Sequence, residues 1–297
     1  MNKELKQEMA NTIALKRRIT SVKNTKQITK AMELVSASKM RRAQEQAVKT
    51  RDYSHLAREI LTRLRELTDV SNHPLFQIRL IENTKLYVVI TSDRGLAGAY
   101  NSNVLRRLTR ELQSDKEAMI TPKIIVIGKQ ASQFVTRLNG VEIIGAYTDF
   151  VEQPTANDLR PILNTMIELY KDKKVDAVDI LFTDYKSSVV QEVTVDRILP
   201  AAFTETTVTP DLGAAIFEPS PKEVLDSVTE RLIESQLTQV FYEAQASEHS
   251  MRMMAMKNAT DNANELVDDL TLAFNTLRQA SITQELAEIT GGAEAIK

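Results

Sequence analysis

The chain has 297 residues, and its 38 basic and 40 acidic side chains leave a net charge of −2. It contains no cysteine, which excludes disulfides and thiolate metal sites and favours a cytoplasmic location. No apolar run approaches the length of a membrane span, and the N-terminus lacks a hydrophobic signal region, so we expect neither a spanning segment nor secretion.

Both ends of the chain lack the residues that most often break helices. No glycine or proline occurs in residues 1–73 or in residues 222–290, although the chain contains eight of each. Each end therefore predicts one helix of about seventy residues, which would reach roughly 100 Å at 1.5 Å of rise per residue. Helices in globular proteins usually run about 10–14 residues.

The two ends also carry opposite charge. Residues 1–73 hold 16 basic and 8 acidic side chains, a net of +8, whereas residues 222–297 hold 6 basic and 13 acidic ones, a net of −7. Opposite charge favours contact between the two helices. Because a compact middle segment separates them in sequence, we predict an antiparallel two-helix coiled coil formed by both termini.

The N-terminal helix shows apolar residues at helical spacing, in patches that change phase from one to the next. We therefore predict a contact stripe that winds around this helix. The helix is expected to end at Asn72-His73-Pro74. The patches consist of Leu15, Ile19 and Val22, of Ile28, Met32 and Val35, of Met40, Ala43 and Ala47, and of Leu56, Ile60, Leu64 and Leu67.

The middle of the chain alternates strand and helix patterns, which predict a central α/β domain with a mostly parallel five-stranded sheet. Residues 206–221 contain three prolines and one glycine and predict a connecting loop. The predicted domains are 1–73, 74–221 and 222–297. The expected strands cover residues 86–91, 123–128, 141–147, 177–184 and 189–200, and the expected helices cover 101–113, 129–139 and 157–171.

The C-terminal helix carries a heptad repeat, which is typical of a coiled coil. Many of its members are alanines, and these would allow two helices to approach closely. Gly291-Gly292 predicts the end of the helix. The repeat runs through Leu237, Val240, Ala244, Ser247, Met251 and Met254 and, after one phase break, through Ala263, Leu266, Leu270, Ala273, Leu277, Ala280, Gln284 and Ala287.

The segment Ser92–Asn101 follows a predicted strand and precedes a predicted helix, a place where phosphate groups often bind. It does not match G-x-G-x-x-G, and Gly128-Lys129 lacks the upstream glycine and the following Ser or Thr of a P-loop. A nucleotide-binding turn and a structural strand–helix turn are both open, and the residues favour the structural turn.

Residues 16–42 form a strongly basic stretch with nine Lys or Arg side chains and one acid, Glu33. Three interpretations stay open: a nucleic-acid surface, a surface for an acidic protein partner, and a solvated helix face. No interleaved aromatic residues offer platforms for base stacking, which disfavours nucleic acid.

No residue pattern is typical of catalysis. The three histidines, His55, His73 and His249, are scattered, and no nucleophile stands near a candidate base. The sequence therefore predicts no catalytic residue, no cofactor and no metal site. Gln279 and Thr283 share a helix face beside Arg278, and their spacing alone predicts an exposed polar surface.

Separated segments of the chain resemble the signatures of the gamma subunit of the F-type ATP synthase, in the order of that family. The first is residues 18–41, RITSVKNTKQITKAMELVSASKMR, and the second is residues 91–101, TSDRGLAGAYN. The third is divided between residues 254–263, MAMKNATDNA, and residues 278–289, RQASITQELAEI.

This resemblance implies a central-stalk rotor. The coiled coil would enter a ring of three alpha and three beta subunits, and a Rossmann-like foot domain would meet the epsilon subunit and the membrane c-ring. Proton flow would turn the ring and the shaft, and the asymmetric shaft would drive the beta sites through binding, synthesis and release. Catalytic residues in this family lie on the beta and alpha subunits. The resemblance implies a peripheral protein on the cytoplasmic face of a bacterial cell membrane, without a nucleic-acid partner.

The resemblance also implies roles for matched positions. Lys30 and Met32 correspond to the neck region, which meets an acidic loop of beta, and this favours the partner interpretation of the basic stretch. Arg278, Gln279 and Thr283 correspond to a polar contact with a beta-subunit loop. The last turns would lie in an apolar sleeve.

Chloroplast and cyanobacterial members of the family carry an extra central insertion, with a regulatory cysteine pair in the plant forms. This chain shows no such insertion and has no cysteine, so it resembles a bacterial member without thiol regulation. Two hypotheses remain: a rotor subunit without its own active site, and a nucleotide- or nucleic-acid-binding α/β protein with a helical arm.

Overall fold

The computed structural model describes residues 3–67, 73–79, 81–150, 154–188, 190–201, 218 and 220–294. Within them the chain forms five helices and five strands. In chain order these are α1 Lys3–Leu67, β1 Thr84–Ile90, α2 Tyr100–Glu117, β2 Thr121–Ile127, α3 Lys129–Val135, β3 Glu142–Tyr147, α4 Ala156–Lys171, β4 Ala177–Tyr185, β5 Gln191–Leu199 and α5 Pro221–Glu294.

The chain folds as two compact units. The helical unit contains Met1–Val35 and Met253–Lys297, and the mixed unit contains Ser36–Arg252. No helix among the described residues combines the length and the apolar character that crossing a bilayer requires. The expected connecting loop at 206–221 lies almost wholly outside the described residues.

The mixed unit is built on the predicted five-stranded sheet, with strand order β3-β2-β1-β4-β5. Four strands are parallel, and β5 pairs antiparallel with β4. All five expected strands and all three expected helices are present, so the fold class is confirmed. The central strand β1 is buried from Leu86 to Ile90, because helices cover both faces of the sheet.

The two faces of the sheet hold separate apolar cores. Tyr87 and Val89 of β1 pack with residues of α2 and α3, whereas Leu86 and Val88 pack with residues of α4 and α5. This alternation is the period-two pattern of a strand. The sheet is therefore the middle layer of an α/β/α sandwich, with part of α5 as an outer layer.

In the mixed unit α1 and α5 run antiparallel. Arg51 of α1 pairs with Glu243 of α5 at 3.1 Å, whereas Lys39, earlier in α1, lines the same small cavity as His249, later in α5. Four members of the first half of the predicted C-terminal repeat are buried, but so are Phe241, Tyr242 and Ala246 between them, because this part of α5 also packs on the sheet. The four buried members are Leu237, Val240, Ala244 and Ser247.

The helical unit contains a continuous contact seam with polar members. On α1 the half-buried and buried positions follow one another at intervals of three and four residues, without a change of phase. The predicted winding stripe is wrong there: Ile28 and Val35 are exposed, and Thr29 is buried instead. The α1 seam consists of Thr12, Leu15, Ile19, Val22, Lys26 and Thr29.

The seam of α5 in this unit also differs from the predicted repeat. Ala263 and Leu270 are buried as expected, but Leu266, Ala273, Ala280 and Ala287 are exposed. The predicted repeat was built mainly from apolar residues, whereas the observed seam includes Thr260, whose hydroxyl bonds to that of Thr29 on α1. The seam runs through Thr260, Ala263, Val267, Leu270 and Phe274.

The predicted end of α5 at Gly291-Gly292 is wrong, because the helix continues to Glu294. Glycine costs about 1 kcal/mol relative to alanine inside a helix, but it does not prevent helical hydrogen bonding. A helix of this length therefore continues through two glycines near its end.

Candidate partner-binding surface

Lys30 and Met32, the predicted neck residues, do not share a face of α1. The Lys30 side chain is exposed, and its ammonium donates to both carboxylate oxygens of Glu33 at 3.0 Å. Met32 is half-buried, two residues along the helix, so it lies on nearly the opposite side. The two side chains flank the helix rather than form one contact point.

The outward face of α1 in the helical unit is apolar in part. Ile13, Ile28 and Val35 are exposed and lie opposite the seam, by the rotation of 3.6 residues per turn. The basic stretch lies around them. Six of its Lys and Arg side chains precede Val35, and all of these except the half-buried Lys26 are exposed. The exposed members are Lys16, Arg17, Arg18, Lys23 and Lys30.

Arg278, Gln279 and Thr283 are all exposed on α5. The Thr283 hydroxyl donates to the Gln279 carbonyl at 2.9 Å, so it is tied to its own helix and can still accept a hydrogen bond. Their exposure agrees with the polar surface that their spacing predicts. At 1.5 Å of rise per residue, Arg278 lies about 27 Å along α5 from Thr260, which faces Thr29. The predicted contact residues on α5 and those around Lys30 on α1 therefore lie at different positions along the helical unit.

The same stretch of α5 exposes large apolar side chains on the face opposite its seam. Leu272 is 69% exposed and Ile289 is 68% exposed, and Ile282 and Leu286 lie between them. By helical rotation, Gln279 and Thr283 lie within this face. An isolated pair of helices would place polar residues there, so this surface is suited to contact with a partner.

The turn between β1 and α2 is held by its own groups. The Ser92 backbone N–H donates to Asn101 Oδ1 at 3.0 Å, and the Asp93 carboxylate accepts the backbone N–H groups of Lys129 at 3.0 Å and of Asp149 at 3.1 Å. These are donors that a phosphate would need. The bonds support the structural interpretation of this turn.

Gly128 directly precedes α3 beside this turn, and the neighbouring backbone leaves no room for a side chain there. Its φ is +99°, and a Cβ there would lie 2.2 Å from the Thr91 carbonyl oxygen. The glycine of the partial P-loop match therefore serves close backbone packing. Among the described residues, no group of three His, Asp or Glu side chains is placed to hold a metal ion.

Helix α5 covers the carboxyl ends of β1 and β4, where doubly wound sheets commonly bind ligands. Arg252 donates to the Arg94 carbonyl at 3.2 Å, and the Ser250 hydroxyl donates to the Ser188 carbonyl at 3.0 Å. The Tyr100 hydroxyl donates to the Ala244 carbonyl at 3.2 Å. This crevice is filled by the protein's own helix.

Arg252 also anchors two titratable neighbours on α5. It donates to Glu248 Oε1 at 2.6 Å and lies 3.2 Å from His249 Nδ1. Burial raises the pKa of the Glu248 carboxyl, although Arg252 opposes the rise. Burial and then the charges of Arg252 and Lys39 lower the pKa of His249 to about 3. In the sequence, only the i,i+4 spacing of Glu248 and Arg252 pointed to this cluster.

Comparisons with known proteins agree with each other. The family model described as ATP synthase matches residues 11–296. The ATP synthase gamma chain of Moorella thermoacetica is 38% identical over 293 residues, covering 97% of this chain and 100% of that protein. The gamma chain of Acidithiobacillus ferrooxidans is 38% identical over 290 residues, with the same coverage.

Solved structures share the fold at lower identity. A chain of the Euglena gracilis mitochondrial ATP synthase, solved with OSCP, F1 and c-ring, has a TM-score of 0.68 at 19% identity and covers 97% of this chain and 95% of that one. A chain from the central stalk and c-ring of the Tetrahymena thermophila mitochondrial ATP synthase has a TM-score of 0.60 at 21% identity, covering 78% and 99%.

Proposed function

The chain belongs to the ATP synthase gamma-chain family, and from this premise we propose that it is the central-stalk rotor subunit of a proton-translocating ATP synthase. It couples rotation of the c-ring to conformational change at catalytic sites on other subunits. It contributes no catalytic residue and binds no cofactor of its own.

The observation that carries this proposal is the apolar outward face of α5 around Leu272, Ile282, Leu286 and Ile289. Its opposite face already packs in the seam, so a surrounding partner is needed to bury it. In this role the face turns inside a ring of three alpha and three beta subunits. The polar side chains within it, Gln279 and Thr283, contact a beta-subunit loop together with Arg278.

The α1 residues give the second level of contact. Lys30 and the basic side chains near it approach an acidic loop of beta, whereas Met32 contacts beta from nearly the opposite side of the helix. Because α1 presents basic and apolar side chains and α5 presents its apolar face, the surface differs around the rotor, and the three beta subunits meet different parts of it at any one angle. This asymmetry lets one rotor hold three catalytic sites in three states.

The remaining partners follow from the same role. Residues 74–221 form the foot domain, which contacts the epsilon subunit and the c-ring, and residues 1–73 and 222–297 supply the coiled coil. The subunit is peripheral and lies on the cytoplasmic face of a bacterial cell membrane, attached through the complex.

Native mass spectrometry of the chain, co-expressed with alpha and beta subunits, tests this function. We expect one copy of the chain with three alpha and three beta subunits. Tight, stoichiometric ATP binding by the isolated chain, together with its absence from the alpha–beta assembly, would instead support the nucleotide-binding alternative.

A further inference from the structure

The mixed unit has an apolar groove where α2 ends and β2 begins, closed on its other side by the connection from α3 to β3. Its volume is about 790 Å³. Half of its twelve lining residues are apolar, and none is aromatic. The apolar lining residues are Leu112, Met119, Ile120, Pro122, Leu138 and Val141.

Met119 stands at the mouth of this groove in an unusual backbone conformation. Its φ is +58°, and its side chain is 90% exposed. Helix α2 ends in a Schellman motif, because the Ile120 N–H donates to the Asp115 carbonyl at 2.8 Å and Met119 occupies the left-handed position that usually holds glycine. Glycine would adopt this conformation with less strain, so the Met119 side chain is held at the groove at a small cost in stability.

The groove has a basic border. Arg106, Arg110 and Lys116 lie along one side of α2, and Arg137 precedes the lining residue Leu138; all four are exposed. None of the four has a carboxylate within ion-pair distance among the described residues. These cations are available to a ligand.

Most acidic side chains near the groove already have a basic partner. Glu111 pairs with Arg107 at 2.7 Å, and Glu142 pairs with Lys123 at 3.1 Å. The buried Asp115 accepts from Lys85 at 2.9 Å and from the Tyr87 hydroxyl at 2.6 Å. Glu117 is the one exposed acid in the last turn of α2 without such a partner. The border therefore presents an excess of positive charge.

We propose that this groove binds an acidic segment of a protein partner. An apolar side chain of the segment packs against Met119 and Leu138, and its carboxylates lie beside Arg110 and Lys116. The concave apolar floor fits a side chain rather than a flat bilayer surface, and the lack of aromatic platforms disfavours single-stranded nucleic acid. Charge complementarity selects an acidic segment over a neutral one.

The test selects phage-displayed random peptides on the full-length chain and measures the affinity of the selected peptides by fluorescence polarisation. We expect peptides with net negative charge and at least one large apolar residue. Arg110→Glu with Lys116→Glu should weaken their binding by about tenfold or more at low salt. The control Lys49→Glu with Lys222→Glu has the same charge change outside the groove and should leave binding unchanged.

Met119→Gly separates binding from folding. Glycine suits the positive φ, so this variant should melt at the same or a higher temperature while it weakens peptide binding by about threefold or more. Selected peptides without net negative charge would overturn the proposal, as would equal binding to the groove variants. Binding of phosphatidylglycerol vesicles through Arg110 and Lys116, without binding of acidic peptides, would also overturn it and indicate a lipid surface.

Discussion

The hydroxyl oxygens of Thr29 and Thr260 lie 2.8 Å apart in the seam between α1 and α5. Each hydroxyl also lies near a carbonyl of its own helix, that of Lys26 at 3.0 Å for Thr29 and that of Met256 at 2.8 Å for Thr260. Both threonines are almost fully buried. A buried pair of bonded hydroxyls favours one alignment of two helices, because a slip that separates them leaves each hydroxyl without its partner on the other helix.

We expect the two hydroxyls to be energetically coupled. Thr29→Val should lower the free energy of unfolding by about 1 kcal/mol, and Thr260→Val by a similar amount. The double variant should lose less than the sum of the two, by about 0.5 kcal/mol or more. Urea unfolding of the four proteins measures this coupling. Strict additivity would show that the hydroxyls do not act as a pair.

Loss of Arg252 should destabilise the mixed unit. Arg252→Met leaves the Glu248 carboxylate largely buried without its cation and frees the Arg94 carbonyl, so we expect a loss of about 3 kcal/mol. Adding Glu248→Gln should recover part of it. As a control, Lys171→Met removes an ion pair with Glu230 in which both side chains are exposed, and it should cost less than about 1 kcal/mol.

Stability should fall below neutral pH through His249. Its folded pKa, about 3, lies below the ordinary value of 6.5, so between these values the unfolded state binds the extra proton and stability rises with pH. Each pH unit in that window contributes at most about 1.4 kcal/mol. His249→Gln should remove this slope between pH 4 and pH 6 in urea unfolding. An unchanged slope would mean that His249 titrates normally in the folded protein.

Gly128→Ala should be among the most damaging single-methyl changes. The new Cβ would meet the Thr91 carbonyl at 2.2 Å, at a φ that side chains rarely adopt, and we expect a loss of about 3 kcal/mol or more. Gly140→Ala is the matched control: its φ is +80°, but no atom lies within 4 Å of the new Cβ. It should cost only about 1 kcal/mol. Thermal melting of both variants makes the comparison.

Gln279→Ala with Thr283→Ala should lower ATP turnover of the assembled enzyme by about fivefold, the effect of losing about 1 kcal/mol of polar contact. Both side chains are exposed, so the isolated chain should keep its melting temperature. Thr165→Ala, which removes the same kind of hydroxyl bond to a carbonyl four residues earlier in α4, should leave turnover unchanged. Normal turnover in the double variant would show that Gln279 and Thr283 do not contribute to the contact with the partner.

Much of the fold could be predicted from the sequence because its strongest signals are local. Apolar runs such as Leu86–Ile90 become buried strands, and the absence of glycine and proline predicts α1 and α5. The orientation of β5 could not be predicted, since strand pattern does not distinguish parallel from antiparallel pairing.

Which residues of α1 and α5 form the seam could not be predicted from apolar patterns alone. Its position is set by Thr29 and Thr260, whose polar side chains carry no hydrophobic signal, while the apolar Ile28 and Val35 next to seam positions point outward. Arg252 likewise could not be predicted, because its carbonyl partners at Arg94 and Gly95 are distant in sequence. Lys30, Met32, Arg278, Gln279 and Thr283 were found through family resemblance, and their contacts with a partner stay a prediction.

The carboxylate of Asp93 stands where a bound anion would lie in this turn. It accepts the backbone N–H groups of Lys129 and Asp149, so a side chain of the protein occupies the place where related sheet architectures bind an anionic ligand. A phosphate entering there would have to displace this side chain and approach a like charge. The turn is therefore held by the protein's own groups, so the connection between β1 and α2 needs no bound nucleotide to keep its conformation.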